Sequence, residues 1–100
     1  MVTLMLDGEL DIYRAAPLKD LLLEALAAAD RDGHGLELNL AGVTELDSAG
    51  LQLLMLAKKD AQRRQRELHL VAHSPAVVEV FELLNVGAFF GDPMVIANRD

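Results

Sequence analysis

Short apolar runs alternate with longer stretches in which apolar residues recur every three or four positions, and this alternation sets out the elements. Thr3 to Tyr13 is strand-like, but Asp7-Gly8 interrupts it. Asp-Gly between two apolar runs signals a hairpin turn, whereas a lone glycine within a strand marks a bulge. The flanking pieces, Val2 to Leu6 and Leu10 to Tyr13, are too short to decide between the two. Pro17 then suits the first turn of a helix, where φ is already fixed and no backbone donor is wasted. Leu18, Leu21, Leu22, Ala25, Leu26 and Ala29 follow one helical face, with Lys19, Asp20, Glu24 and Asp30 off it. Arg31-Asp32-Gly33-His34-Gly35 ends that helix in a turn.

Leu36-Glu37-Leu38-Asn39-Leu40 alternates with the period of a strand. Ala41 to Leu46 is expected to be a connection, and a second helix is expected from Asp47 or Ser48 to about Arg66. Leu68 to Ala72 is the next strand. His73-Ser74-Pro75 starts a third helix, with the Ser74 hydroxyl accepting from a free backbone donor and Pro75 at the first helical position. Val77, Val78, Val80, Phe81 and Leu84 ride on that helix, and Gly87 is expected to close it. Gly91-Asp92-Pro93 is a turn before a short last strand, Met94 to Ala97. Strands separated by helices require crossover connections, so the fold class is α/β with a largely parallel sheet. One hundred residues without a linker or repeat are expected to form one domain.

On the second helix, Gly50, Leu53, Leu54, Ala57 and Ala61 form the expected core face. Leu56 falls on the far side among Gln52, Lys59 and Arg63, with Met55 at the border. Leu56 is therefore surplus to the core: either a lone surface leucine or part of a contact with a partner.

Composition narrows the function classes. A net charge of −7 and four aromatic residues argue against a nucleic-acid surface, which needs cations and stacking rings. There is no cysteine for a disulfide or thiolate site. No apolar run reaches the roughly 20 residues of a membrane span. Met1-Val2-Thr3 opens directly into a strand pattern rather than a signal segment, so a cytoplasmic protein without membrane insertion is expected.

Candidate chemistry concentrates at Glu45-Leu46-Asp47-Ser48-Ala49-Gly50-Leu51, where the second helix begins. With Asp47 as cap, Ser48 is the first helical residue and its hydroxyl faces solvent. Free backbone donors and the positive end of the helix dipole would favour a phosphate there. That phosphate would add about −1.5 to −2 charges beside Asp47 and Glu45 and change the surface a partner meets. Gly50 would let another backbone approach. Local chemistry equally allows Asp47 or Ser48 to be no more than a helix cap.

Other constellations are weaker. His34, His69 and His73 lack a metal-ligand spacing, and no nucleophile elbow surrounds Ser48. Gly33-His34-Gly35 lacks the lysine of a phosphate loop. Lys58, Lys59, Arg63, Arg64 and Arg66 suit a solvated helix C-terminus, where cations offset the dipole. No enzyme activity, metal or cofactor is expected.

Asp47-Ser48-Ala49-Gly50-Leu51, preceded by Leu36 to Val43, resembles the signature of the STAS domain, the anti-anti-sigma factor family. Gly8-Glu9-Leu10-Asp11, Ser74-Pro75-Ala76-Val77 and Val80-Phe81-Glu82-Leu83 fall in the family's order. The resemblance implies a small STAS-type sheet of about four to five strands with helices mainly on one face. It also implies a regulatory module without catalysis. In phosphorylated members, the serine after the aspartate is modified by an anti-sigma-type serine kinase and restored by a serine phosphatase. The unmodified domain binds its partner, and the modified one releases it. Ser48 matches the phosphoacceptor and Asp47 the preceding acid, while Asp11 matches the aspartate of the first block. Ala49, Gly50, Leu51, Gln52, Met55 and Leu56 complete the implied partner-binding environment.

Three features depart from the family pattern. Ala49 leaves a single hydroxyl at the turn, Asn39 stands where aspartate is frequent, and the chain begins close to the Gly-Glu-Leu-Asp block. Compact members also act in chemotaxis signalling. Others are constitutive subunits or regulators of transport complexes for lipid or anions, without phosphorylation. The partner and the oligomeric state stay open, since a short first strand leaves an edge that another chain could pair with.

Overall fold

In the computed structural model, which describes residues 1–91, the elements run β1 (Val2–Leu10), α1 (Ala15–Arg31), β2 (Leu36–Leu46), α2 (Ser48–Arg63), β3 (Leu68–Val71), α3 (Pro75–Leu84) and α4 (Gly87–Phe90). The strands form one sheet in the order β1-β2-β3, and both pairs are parallel. Parallel neighbours need a crossover of a dozen or more residues, which α1 and α2 provide. The described sheet has three strands rather than four or five. The Gly91-Asp92-Pro93 turn extends past the described residues, and the expected strand from Met94 to Ala97 lies outside them.

The alternation of the strands decides where the helices go. Leu36, Leu38, Leu40, Leu68 and Leu70 are buried with Leu6 and Leu10. The intervening Thr3, Met5, Glu37, Asn39 and His69 are half-buried or exposed. Thr3 pairs with Glu37 and Glu37 with His69 in register, so they share the second face. The leucine face is the one that α1 and α2 cover with Leu18, Leu22, Leu26, Leu51, Leu54, Ala57 and Ala61.

Asp7-Gly8 is not a hairpin: β1 runs on through it, with a register shift on either side as the bulge reading expects. Gly8 takes φ +74, a backbone state that costs a side-chain-bearing residue about 1–2 kcal/mol. The flanking carbonyls of Asp7 and Glu9 both accept from Nη1 of Arg14, at 3.0 and 2.9 Å. Two register shifts accompany the glycine. Met5 pairs with Asn39 but Asp7 with Gly42, and Gly8 pairs with Val43 but Glu9 with Glu45. Each shift places one extra residue in β2, as in a β-bulge. Buried residues consequently fall three apart, at Leu40, Val43 and Leu46. Ala41 to Leu46, expected as a connection, is therefore the second half of β2: the bulges break the period of two that identifies a strand.

Helix boundaries follow local hydrogen bonding. α1 begins at Ala15, two residues ahead of Pro17, which still lies in the first turn where donors are free. Ahead of it, Oδ1 of Asp11 accepts from the backbone N–H groups of Tyr13 and Arg14, at 3.0 and 3.1 Å. α2 ends at Arg63 rather than Arg66. At α3, Ser74 Oγ accepts from the Val77 N–H at 3.3 Å with Pro75 next to it, as expected. The helix stops at Asn85, whose left-handed φ of 53 supplies the terminating geometry expected of Gly87. Gly87 instead opens the short α4, whose buried Phe90 stacks on Phe81 with ring centroids 5.2 Å apart.

Candidate functional site

The turn between β2 and α2 is built around Asp47. Its backbone is extended (φ −104, ψ −176), and it caps α2 by accepting from the Gly50 N–H at Oδ1, 2.9 Å away. Oδ2 accepts from the Ile12 N–H at 3.1 Å, and the Asp47 N–H donates to the Leu10 carbonyl at 3.2 Å. One residue thus ties the start of α2 to both the end of β1 and the loop that follows. Gly50 is buried against the same carbonyl: a Cβ there would lie 2.1 Å from the Leu10 oxygen. The backbone that Gly50 admits is the chain's own.

The expected site residues divide by burial. Ser48 is exposed at the first position of α2, and Asp47, Gln52 and Leu56 are exposed with it. Asp11, Ala49 and Met55 are half-buried, while Gly50 and Leu51 are buried beneath the turn. Ser48 therefore presents a hydroxyl on a backbone fixed from below, beside free helical donors.

Two depressions flank this turn. One, of about 490 Å³, is lined by Asp11, Tyr13, Leu46, Asp47, Ala76 and Val80, with Thr44, Glu45 and Glu79 also facing it. Four of those nine residues are acidic and none is basic. Carboxylate oxygens of Glu9, Asp11 and Glu45 come within 4.8 Å of one another at its edge. Tyr13, 90% exposed, and Ile12 project from the loop that Asp11 and Asp47 hold. The other, of about 610 Å³, is an open groove between α1 and α2, lined by Ala15, Lys19, Ala49, Gln52, Leu53, Met55, Leu56 and Lys59. Leu56, surplus to the core in sequence, forms part of this groove. Leu53, expected in the core, lies half-buried at its floor, because a neighbouring helix rather than the sheet meets that side of α2.

The basic cluster departs from its expectation. Arg64 donates to Asp60 and to Asp30 at 2.9 and 3.0 Å, and Arg66 to Asp30 at 2.8 Å. Arg63 also pairs with Asp60, and Lys58 Nζ donates to the Leu68 carbonyl at 2.9 Å. Four of the five cations thus have partners within the fold, although Arg63 stays 76% exposed. Burial pushes the Asp60 carboxyl up, but hydrogen bonds from Arg63 and Arg64 outweigh it and leave Asp60 below the ordinary aspartate value. Hydrogen bonds from Arg66 and then Arg64 lower Asp30. Asp60 and Asp30 hold Arg64 above its usual value. The spacing from Asp60 to Arg63 and Arg64, three and four residues on one helix, was the available signal for half of this network. Its link to Asp30 on α1 has no local signature.

Residues 1–95 match the family model described as "Mlab, STAS domain". The anti-sigma-B factor antagonist of Staphylococcus epidermidis is 29% identical over 76 residues, covering 76% of this chain and 68% of that protein. Its counterpart in Staphylococcus aureus (strain NCTC 8325 / PS 47) is 30% identical over a span of the same length and coverage.

Proposed function

The chain belongs to the STAS domain family, and on that footing we propose that it is a non-enzymatic, cytoplasmic protein-interaction module switched by phosphorylation of Ser48. The unmodified domain docks on an anti-sigma-type serine kinase or a chemotaxis signalling protein, a phosphate on Ser48 releases it, and a serine phosphatase restores it. The observation that supports this reading is the exposed Ser48 at the first position of α2, on a turn held by Asp47 and by the close contact of Gly50 with Leu10. A phosphate of about −1.5 to −2 charges on such a platform changes the field over the docking face while the fold beneath stays put.

A second reading makes the chain a constitutive subunit of a transport complex for lipid or anions, with Ser48 as a fixed contact. It is favoured by the depression beside the turn, where four acidic residues and no basic one would repel a phosphate.

Incubation with ATP and candidate serine kinases, followed by mass spectrometry, distinguishes the two. The switch requires phosphate on Ser48 and partner binding that is retained in Ser48→Ala and lost in Ser48→Asp. Equal binding by wild type and both variants overturns it.

A further inference from the structure

Among the described residues, Lys19, Arg31 and Lys59 are the basic side chains that make no hydrogen bond or ion pair with another described residue. Arg14 and Lys58 are bound to backbone carbonyls, and Arg63, Arg64 and Arg66 to Asp30 and Asp60. Two of those three uncommitted cations, Lys19 on α1 and Lys59 on α2, line the same groove. The protein as a whole carries −7. Positive charge on an acidic molecule is thus concentrated at a groove whose other walls are Ala15, Ala49, Leu53, Met55 and Leu56, with Gln52 between.

A cleft between two helices offers ridges and grooves on which a third helix packs. Amphipathic helices bind such sites through apolar residues spaced at i, i+3, i+4 and i+7. Met55 adds an adaptable, unbranched surface. Leu56 is 39% exposed, which is the surplus that burial beneath such a helix would remove. We infer that the α1/α2 groove docks an acidic amphipathic helix of a protein partner, its apolar stripe on Leu53, Met55 and Leu56 and its carboxylates at Lys19 and Lys59.

The charge of the occupant bears on the switch, and here the inference rests on the reading of Ser48 as phosphoacceptor. Helical spacing places Ser48, Gln52, Met55 and Lys59 along one stripe of α2, and Ala49 lines the groove itself. A phosphate at the end of that stripe repels an acidic helix and attracts a basic one. Release on phosphorylation therefore demands an acidic occupant.

The test uses two synthetic helical peptides of about 18 residues, long enough to hold some helix in water. They share one leucine stripe and differ in carrying glutamate or lysine beside it. Each is titrated into the isotope-labelled protein and followed by NMR. The acidic peptide is expected to shift the amides of Ala15, Lys19, Gln52, Met55, Leu56 and Lys59 and to bind about tenfold more tightly than the basic one, the scale two exposed charge pairs supply. Lys19→Glu with Lys59→Glu is expected to invert that preference, and Ser48→Asp to weaken only the acidic peptide. Equal affinity for both peptides, shifts outside the groove, or self-association or anionic vesicles covering these residues in place of the peptide overturns the inference. If charge inversion works while Ser48→Asp has no effect, the acidic groove stands and its coupling to Ser48 falls. If kinase-dependent release of a partner is seen but neither peptide reaches the groove, the switch stands and the groove falls.

Discussion

Gly50 lies so close to the Leu10 carbonyl that a Cβ built on it would come within 2.1 Å of the oxygen and 2.8 Å of the carbonyl carbon. Both partners are backbone in regular elements, and neither can rotate away. Gly50→Ala gains about 1 kcal/mol of helix propensity but forces α2 off the end of β1. Overpacking of this kind costs typically 1–3 kcal/mol and sometimes more. A net loss of about 2 kcal/mol is expected from urea unfolding, and a variant as stable as the parent would contradict the packing described.

Asp47 serves two elements with one carboxylate, so its removal should exceed the cost of an ordinary cap. Loss of a cap is about 1 kcal/mol, and the charge-assisted bond to Ile12 adds about 1.5–3 kcal/mol at most. The Ile12 bond is exposed, which puts it at the low end of that range, so Asp47→Ala is expected to lose about 2.5 kcal/mol in total. Amide exchange separates the two parts, because the Gly50 and Ile12 N–H groups should both lose protection while Val77, capped by Ser74, keeps its own.

The Asp30, Asp60, Arg64 and Arg66 network makes stability depend on acid. Both aspartates are held below their ordinary value in the folded chain. Their contribution is therefore present above the unfolded pKa of about 3.9 and is lost as pH falls through the lower folded value. Unfolding measured between neutral pH and about pH 3 should show stability dropping on the acid side. In Asp30→Asn, that acid-side drop should be shallower and stability at neutral pH lower. An unchanged slope would remove the network from the account.

Asn85 ends α3 with φ 53. Asn85→Gly relieves the left-handed strain and should leave the melting temperature unchanged or raise it. Asn85→Val puts a branched side chain in that conformation and should cost about 1–2 kcal/mol. Thermal unfolding of the pair, read as a difference, checks the assignment of the helix end.

The strands and helices were legible wherever one period ran undisturbed. Leu36 to Leu40 and Leu68 to Val71 alternate cleanly, and Ser74-Pro75 announces α3 in two residues. Asp47 as cap and Ser48 as first helical residue could also be read locally, since capping chemistry spans only three residues. What could not be read depends on contacts distant in sequence. The grip of Asp47 on Ile12 spans 35 residues and the pairing of Arg66 with Asp30 spans 36. Neither leaves a local pattern. The groove was half visible, as a leucine left over on α2; its other wall, from Ala15 to Lys19, becomes part of it only when the helices pack. Asn85 replaced Gly87 as the stop because asparagine also tolerates the left-handed region.

The two bulges of β2 also act as a phase count. Each extra residue reverses which side of the sheet the following residues face, and two reversals cancel, so that Leu46 ends on the same side as Leu40. Asp47 inherits its position over Leu10 from that cancellation. Length changes in this strand are consequently tolerated at the bulges rather than anywhere along it: losing Thr44, which has no partner in β1, would leave Val43, Glu45 and Leu46 in plain alternation against Gly8, Glu9 and Leu10, whereas losing a paired residue such as Leu38 would turn over every residue on one side of the deletion. The orientation of Ser48 is in this sense set by arithmetic several residues before it.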